Sequence, residues 1–219
     1  MEVTKDYIEA IDERAERRFF TGMLSFDEVE ENGAKVLDEN TLVGYAAVFN
    51  SDSEDFGGWV ERIDPGFFDG LIDDEQTVAL FNHDMNQVLG RNGVNVKLMI
   101  DKNGLQYKIR SLDTTIGQDV QKLVRAKVIS KSSFAFTVKE ESWTKGDATK
   151  GIPAVRTLLK GEALYDVSPV TRPAYPKTTV GARSFEKALK KADAIEQIGM
   201  SLTELKLIYN INKRRKFNI

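Results

Sequence analysis

The segment "VNVKLMIDKNGLQYKIR", residues 94–110, constrains the fold more than any other stretch of the chain. Val94, Val96, Leu98 and Ile100 alternate along its first half, and Leu105, Tyr107 and Ile109 along its second. A period of two places each set on one face of an extended strand. The joint "DKNG" can reverse the chain, so the segment predicts a β-hairpin with Asn103 and Gly104 suited to positive φ. Extended patterns recur on both sides. "TLVGYAAVFN" (41–50) is a near-continuous apolar run and reads as a buried strand, and "TVALF" (77–81) as a short one. "VISKSSFAFTVKE" is rich in β-branched and aromatic residues. "AVRTLLKG" and "EALYDVSPV" read as a further hairpin or strand pair, and "RRFFTGMLSF" as an edge strand.

Helical signals are fewer. "IDPGFFDGLI" sets Pro65 after Asp64, a helix opening with aspartate at the N-cap and proline in the first turn. "DTTIGQDVQKLVRAK" offers Asp113 to Thr115 as caps, then Ile116, Val120, Leu123 and Val124 at helical spacing. "DEVEENGAKVLDEN" looks like a solvated turn region, and "SDSEDFGGW" and "SWTKGDATKG" (142–151) like loops, the second mobile. After "TRPAYPKTTVGARS" the composition changes to a helical pattern. Ser201 and Glu204 form a capping box there before Leu205 and Ile208, and Gly181 or Gly199 could separate this tail from the core. The expected class is α+β, mainly β. The expected domains are a charged N-terminal segment (1–40), a strand-rich body (41–183) and a helical, basic-ended tail (184–219).

A chain of 219 residues is long enough for one buried core with a smaller appendage. Its 31 Lys and Arg against 34 Asp and Glu do not make the basic surface of a general nucleic-acid coat. No run of eighteen apolar residues exists to span a bilayer, and "MEVTKDYIEAIDERAERRFF" lacks the apolar centre of a signal peptide. With no cysteine, thiol nucleophiles, disulfides and zinc-thiolate sites are excluded together, and a reducing cytoplasm is the simplest compartment. The single histidine, His83 in "FNHDMNQVLGR", excludes every mechanism that needs two imidazoles, including the H-E-x-x-H hydrolases.

Covalent hydrolytic chemistry would then fall to serine, threonine or a carboxylate. Serine needs a base, and His83 is the one imidazole available. Ser132 and Ser133 lie in "KSSFAF" directly before aromatic residues. A base also needs an acceptor on its far nitrogen, and Asp166 in "LYDVS" lies in a strand, where aspartate is depleted. Each residue has a plainer reading as well. His83 reads as a loop residue, the serines as half-buried strand positions, and Asp166 as the ion-pair partner of Arg156, Arg172 or Arg183.

Five blocks in order carry more: "LVGYAAVFN", "ERIDPGFFDGL", "FNHDMNQVLGR", "GLQYKIRSLDTTIGQDVQKLVRAKVISKSSFAF" and "LYDVSPVTRPAYPKTTV". Together, over about residues 41–183, they make the chain resemble the HK97-type prohead (capsid maturation) serine proteases of tailed bacteriophages. These are related in fold to the herpesvirus assembly proteases. The resemblance implies a closed or partly open β-barrel core wrapped by helices, with residues 41–183 as the protease domain. It implies a catalytic set of His83, Ser133 and Asp166. Ser132 is the alternative nucleophile, because adjacent strand residues face opposite ways. Ala135 stands where the family's serine block usually has glycine. The herpesvirus enzymes use a second histidine as third member, so here an acid must substitute. Arg172 in "VTRPAY" follows the third member as an oxyanion-supporting arginine does in the related viral enzymes.

The same resemblance implies a serine endopeptidase, with no metal or cofactor, acting in the host cytoplasm inside the immature prohead. Its implied substrate is the scaffold segment of the major capsid protein, other prohead components being partners, and it implies self-cleavage around 181–219. A homodimer is a candidate assembly, since the herpesvirus relatives dimerise; neither membrane nor nucleic acid is expected as a partner. The run "NKRRKFNI" reads either as a dock for acidic scaffold or as a solvated terminus. Two rivals stand beside the protease. One is a non-catalytic capsid-assembly or scaffold protein that keeps the fold. The other is a metal-dependent hydrolase using His83, Asp84 and the carboxylates at 73–75, for which one imidazole makes a poor zinc site.

Overall fold

The computed structural model describes residues 14–20, 24–171 and Ala188. Among the described residues are ten strands: β1 (Glu16–Phe20), β2 (Ser25–Glu31), β3 (Ala34–Val48), β4 (Trp59–Ile63), β5 (Val78–Phe81), β6 (Asp84–Arg91), β7 (Val96–Ile100), β8 (Gly104–Arg110), β9 (Lys131–Thr144) and β10 (Ala154–Val170). One α-helix, α1 (Thr115–Arg125), is found among the described residues. Thr114 caps α1 by accepting from the Gly117 N–H, inside the predicted Asp113–Thr115 window.

The strands form two sheets. Six of them run in the order β1-β9-β10-β5-β6, with β4 also paired to β10; the other four run β2-β3-β8-β7. Neither sheet closes on itself, so the barrel expectation is corrected to two open sheets. The wrap of helices reduces to α1 among the described residues. The physical cause lies in the partners of β10. This strand pairs with β9 along its length, and on its other edge with β4 and then β5, both parallel. Its bonding capacity is spent inside one sheet. The mainly β class holds. The expected helical tail, with the Ser201–Glu204 capping box, lies outside the described residues, as do Arg172 and Arg183.

The β7–β8 hairpin holds in register, with Val96, Leu98 and Ile100 opposite Ile109, Tyr107 and Leu105. Its turn works differently from the expectation, because neither Asn103 nor Gly104 has positive φ. The Asp101 carboxylate accepts the N–H groups of both Asn103 (2.7 Å) and Gly104 (3.0 Å), so a side chain makes the turn. Gly104 is required for space instead. A Cβ there would lie 2.0 Å from the Ala47 carbonyl oxygen.

Other segments depart from the sequence reading. "IDPGFFDGLI" is a succession of turns: Asp64, Gly66, Phe68 and Leu71 each accept a backbone bond from the residue three ahead. Gly70 at φ +79 cannot continue a helix. "EENGAK" is a hairpin tip, with Asn32 and Gly33 both at positive φ, as a two-residue type I′ turn requires. Residues 142–144 extend β9 by pairing with β10, and residues 148–150 form a short 3-10 turn, so "SWTKGDATKG" is largely structured. β10 is a single strand where a hairpin was expected. Four register shifts between Leu158 and Asp166 absorb the irregularity around Gly161. Gly161 donates its N–H to the Phe67 carbonyl, and a Cβ there would lie 2.6 Å from Leu71.

The core includes Phe67, Phe68, Phe134 and Phe136, all buried. Phe67 meets Phe68 and Phe136 edge-on, at centroid distances of 4.9 and 5.4 Å. Replacing Phe67 with alanine removes a large buried ring from a site fixed on two sides, and should cost about 3–5 kcal/mol in urea unfolding. Val94→Ala, at an exposed position, should change stability by about 0.5 kcal/mol or less.

Candidate active site

Alternation along β9 sends Ser133 and Ala135 to one face and Ser132, Phe134 and Phe136 to the other. The two serines accordingly meet different neighbours. Ser132 Oγ shares a hydrogen bond of 2.7 Å with the Tyr107 hydroxyl, which reaches it from the four-stranded sheet. Gly44 makes room for that contact, since a Cβ there would come within 2.7 Å of the tyrosine oxygen. Burial pushes the Tyr107 phenol far above its ordinary pKa, only partly offset by Ser132, so it is neutral at any working pH. Ser132 is a core residue tying the two sheets together.

On the other face, register places Ser168 opposite Ser133 and Asp166 opposite Ala135. Directly opposite residues share a face, so β9 and β10 together bring a hydroxyl and a carboxylate to the same side. His83 arrives from a third strand pair. β5 and β6 are joined by a two-residue turn, Asn82-His83, with φ of 57° and 60°. Both central residues of a type I′ turn need positive φ, a conformation in which Asn and His are enriched among non-glycine residues. The turn is pinned to the end of β10. The Asn82 N–H donates to the Pro169 carbonyl, and the Asn82 side-chain oxygen accepts from the Thr171 N–H at 2.9 Å and hydroxyl at 3.2 Å.

The imidazole so presented lies between the two other predicted residues. His83 Nδ1 is 2.7 Å from Asp166 Oδ1, and Nε2 is 2.6 Å from Ser133 Oγ. All three are buried, with exposures of 7% for His83 and 1% for Ser133 and Asp166. A carboxylate accepts only, so Nδ1 carries a proton toward Asp166. Ser133 Oγ also lies 2.9 Å from the Arg18 carbonyl oxygen, as donor. Its single proton can serve either that oxygen or Nε2. The structure thus brings together His83, Ser133 and Asp166. It separates Ser132 from them and turns Arg156 away from Asp166.

Two features escaped the sequence reading. Ser168 donates to Asp166 Oδ1 at 2.6 Å, so one oxygen takes both bonds while Oδ2 is buried with no partner among the described residues. The i, i+2 spacing in "DVS" is the signal that could have found it. The second is a buried ionic cluster. Arg156 bonds Glu16 (2.7 and 2.8 Å), Glu61 (2.8 Å) and Glu141 (2.6 and 2.8 Å). Arg18 bonds Glu61 through two nitrogens and Glu16 through one. Burial alone would raise the Glu16 carboxyl, but Arg18 and Arg156 outweigh it and hold it below the usual range. No local motif announces this cluster, because its members come from β1, β4, β9 and β10.

Asp84, weighed as a metal ligand, instead accepts from the Asn86 backbone and side chain, and Asp74 from the Gln76 N–H. Among the described residues no group of three or more His, Asp or Glu is placed to hold a metal ion. No described helix is long and apolar enough to cross a membrane.

The family described as caudovirus prohead serine protease matches residues 27–191, more than half of the chain. The chain belongs to that family. Among solved structures, the chain is similar to the bacteriophage T4 capsid assembly protease, at 13% identity and a TM-score of 0.41. That match covers 72% of this chain and 97% of the other. No curated protein matches. As a prohead protease of this family, the chain should depend on its histidine turn. Asn82→Val strains a positive φ and deletes the bonds to Thr171, and should lower peptide cleavage about tenfold or more by misplacing the imidazole. Asn82→Gly keeps the turn and should lose less; rates and melting curves of the two variants check this.

Proposed function

We propose that this chain is the serine endopeptidase that cleaves the scaffold segment of its phage's major capsid protein inside the immature prohead. In this reading Ser133 is the nucleophile, His83 the general base and Asp166 the acid that orients it. The observation that carries it is the buried relay of 2.7 and 2.6 Å contacts from Asp166 through His83 to Ser133.

The chemistry follows from the contacts. With its Nδ1–H held by Asp166, neutral His83 has its Nε2 lone pair free to take the Ser133 proton as Oγ attacks the peptide carbonyl. The Asp166 carboxylate stabilises the positive ring that forms, and Ser168 holds that carboxylate in place. His83 then gives the proton to the leaving amine, and water, activated in the same way, releases the acyl group from Ser133. Arg172, an expected oxyanion support, lies outside the described residues. Enclosing protease and capsid protein in one shell raises their effective concentration, so weak recognition of each segment suffices. The same proximity favours self-cleavage, for which residues 181–219 are the proposed segment.

Co-expression with the cognate major capsid protein tests the assignment on gels. Wild type should shorten the capsid protein. Ser133→Ala and His83→Ala should leave it intact, with rates down on the order of 10⁴-fold or more. Ser132→Ala should still cut, if more slowly because Tyr107 loses its partner. Activity in Ser133→Ala with none in Ser132→Ala would overturn the nucleophile. Intact masses of wild type and Ser133→Ala read self-cleavage.

A further inference from the structure

Ser133, which is buried, has β1 beside it in the sheet. β1 adds to the outer edge of β9 in antiparallel register, Phe19 opposite Ser133 and Arg18 opposite Phe134. Strand addition to a sheet edge is a general way for a protein to hold an extended peptide. Here the peptide is the chain's own, and its Arg18 carbonyl oxygen accepts a 2.9 Å hydrogen bond from Ser133 Oγ. The carbonyl that meets the hydroxyl, through its oxygen, is that of the Arg18–Phe19 peptide bond.

We propose that β1 lies in the substrate groove as a built-in peptide, and that Glu61 selects a basic side chain at the position before the cleaved bond. This rests on the reading of Ser133 as nucleophile. The Arg18 side chain enters a made-to-measure site. Its Nε and Nη2 bond the two oxygens of Glu61, at 2.5 and 2.8 Å. Its guanidinium lies over the rings of Phe56 and Phe136, at 5.5 and 5.7 Å from their centroids. A two-pronged carboxylate with aromatic faces beside it matches a planar guanidinium. Glu61 is itself 3% exposed and fixed from behind by Arg156. Two residues upstream, Glu16 bonds Arg156 through both oxygens, so the groove also takes an acidic side chain there.

Charge balance points the same way. The cluster holds three carboxylates (Glu16, Glu61, Glu141) and two guanidiniums (Arg18, Arg156). Lifting β1 out removes one of each and leaves Glu61 and Glu141 facing Arg156. Glu61 then loses the guanidinium that both its oxygens bond. An incoming neutral side chain would leave Glu61 short of a partner in a buried setting, which costs far more than in water. A peptide reading acidic-x-basic, as Glu16-Arg17-Arg18 does, restores every pair.

Cleavage on this strand balances as ordinary acyl transfer. Ser133 Oγ bonds the carbonyl carbon of the basic residue as its C–N bond to the next residue breaks. The hydroxyl proton passes through His83 to the departing amine, and water then frees the new carboxylate.

The test uses the full chain and peptides of the sequence RAERRFFT, residues 14–21. The arginine before the first phenylalanine is kept, or replaced by lysine, citrulline or alanine, and cut positions are read by mass spectrometry. The expected result is Ser133-dependent cleavage after that arginine, with kcat/KM on the order of 10²-fold higher for arginine than for citrulline, its neutral isostere. In Glu61→Gln the arginine-to-citrulline ratio should fall toward one, and a Ser133-dependent cut after Arg18 should appear in the wild-type chain itself. Because the peptide series varies only the substrate, it decides the matter even where Glu61→Gln fails to fold. Equal rates for arginine and citrulline, or Ser133-dependent cuts after other residue types, would overturn the assignment of Glu61 and leave the protease reading standing. No Ser133-dependent cleavage of any peptide or of the capsid protein would sink both.

Discussion

Antiparallel pairing of β9 with β10 is the interaction on which the remaining geometry depends. It sets Ser168 opposite Ser133 and Asp166 opposite Ala135, so that one sheet face holds both the hydroxyl and the carboxylate. A slip of one residue would turn the hydroxyl of Ser133 into the core and expose the aromatic residues beside it. The packing forbids this, because Phe134 and Phe136 are locked against Phe67 and Phe68. Hydrophobic burial on one face thereby fixes the polar chemistry on the other. Tyr107 strengthens the lock by engaging Ser132 from the second sheet.

The histidine is positioned by a different means. β10 accepts β5 on its free edge, and the β5–β6 hairpin ends in a two-residue turn whose backbone lies in the left-handed region. Asn82 ties that turn to Pro169 and Thr171. His83 is thus carried by a rigid hairpin end anchored to the same strand that supplies Asp166. The proposed role of general base needs this kind of support, since the reach of the ring to the hydroxyl must be set to within about 0.5 Å. β1 completes the sheet edge beside Ser133, accepting its hydroxyl at the Arg18 carbonyl, and brings Glu16 and Arg18 into a cluster of carboxylates and guanidiniums.

Much of this was legible from local pattern. The period-two runs gave the β7–β8 register, and α1 follows its caps and apolar spacing. Elimination led to the histidine, since the chain has only one. Where sequence reading failed, competing contacts had won. Asp64 and Pro65 look like a helix start, yet Gly66 and Gly70 favour turns that tuck Phe67 and Phe68 beneath the sheet. The stretch around Gly161 looks like a hairpin bend, but Phe67 and Leu71 pack so closely that the strand bulges and continues. Asn103-Gly104 suggested positive φ, whereas Asp101 closes that turn with its side chain.

Composition and order of residues determined by themselves that the body is built of strands, that thiol and two-histidine chemistry are absent, and which few side chains could serve a hydrolase. They could not choose between Ser132 and Ser133, because alternation says only that neighbours diverge and not which face is core. Tertiary structure separates the two, packing the aromatic side of β9 inward with Ser132 against Tyr107 and bringing His83 to Ser133. It also gathered Glu16, Arg18, Glu61 and Arg156, all buried, with the half-buried Glu141, from four strands into one cluster. Such a cluster has no trace in any single segment, since charges pair through space and the chain that carries them records only their order.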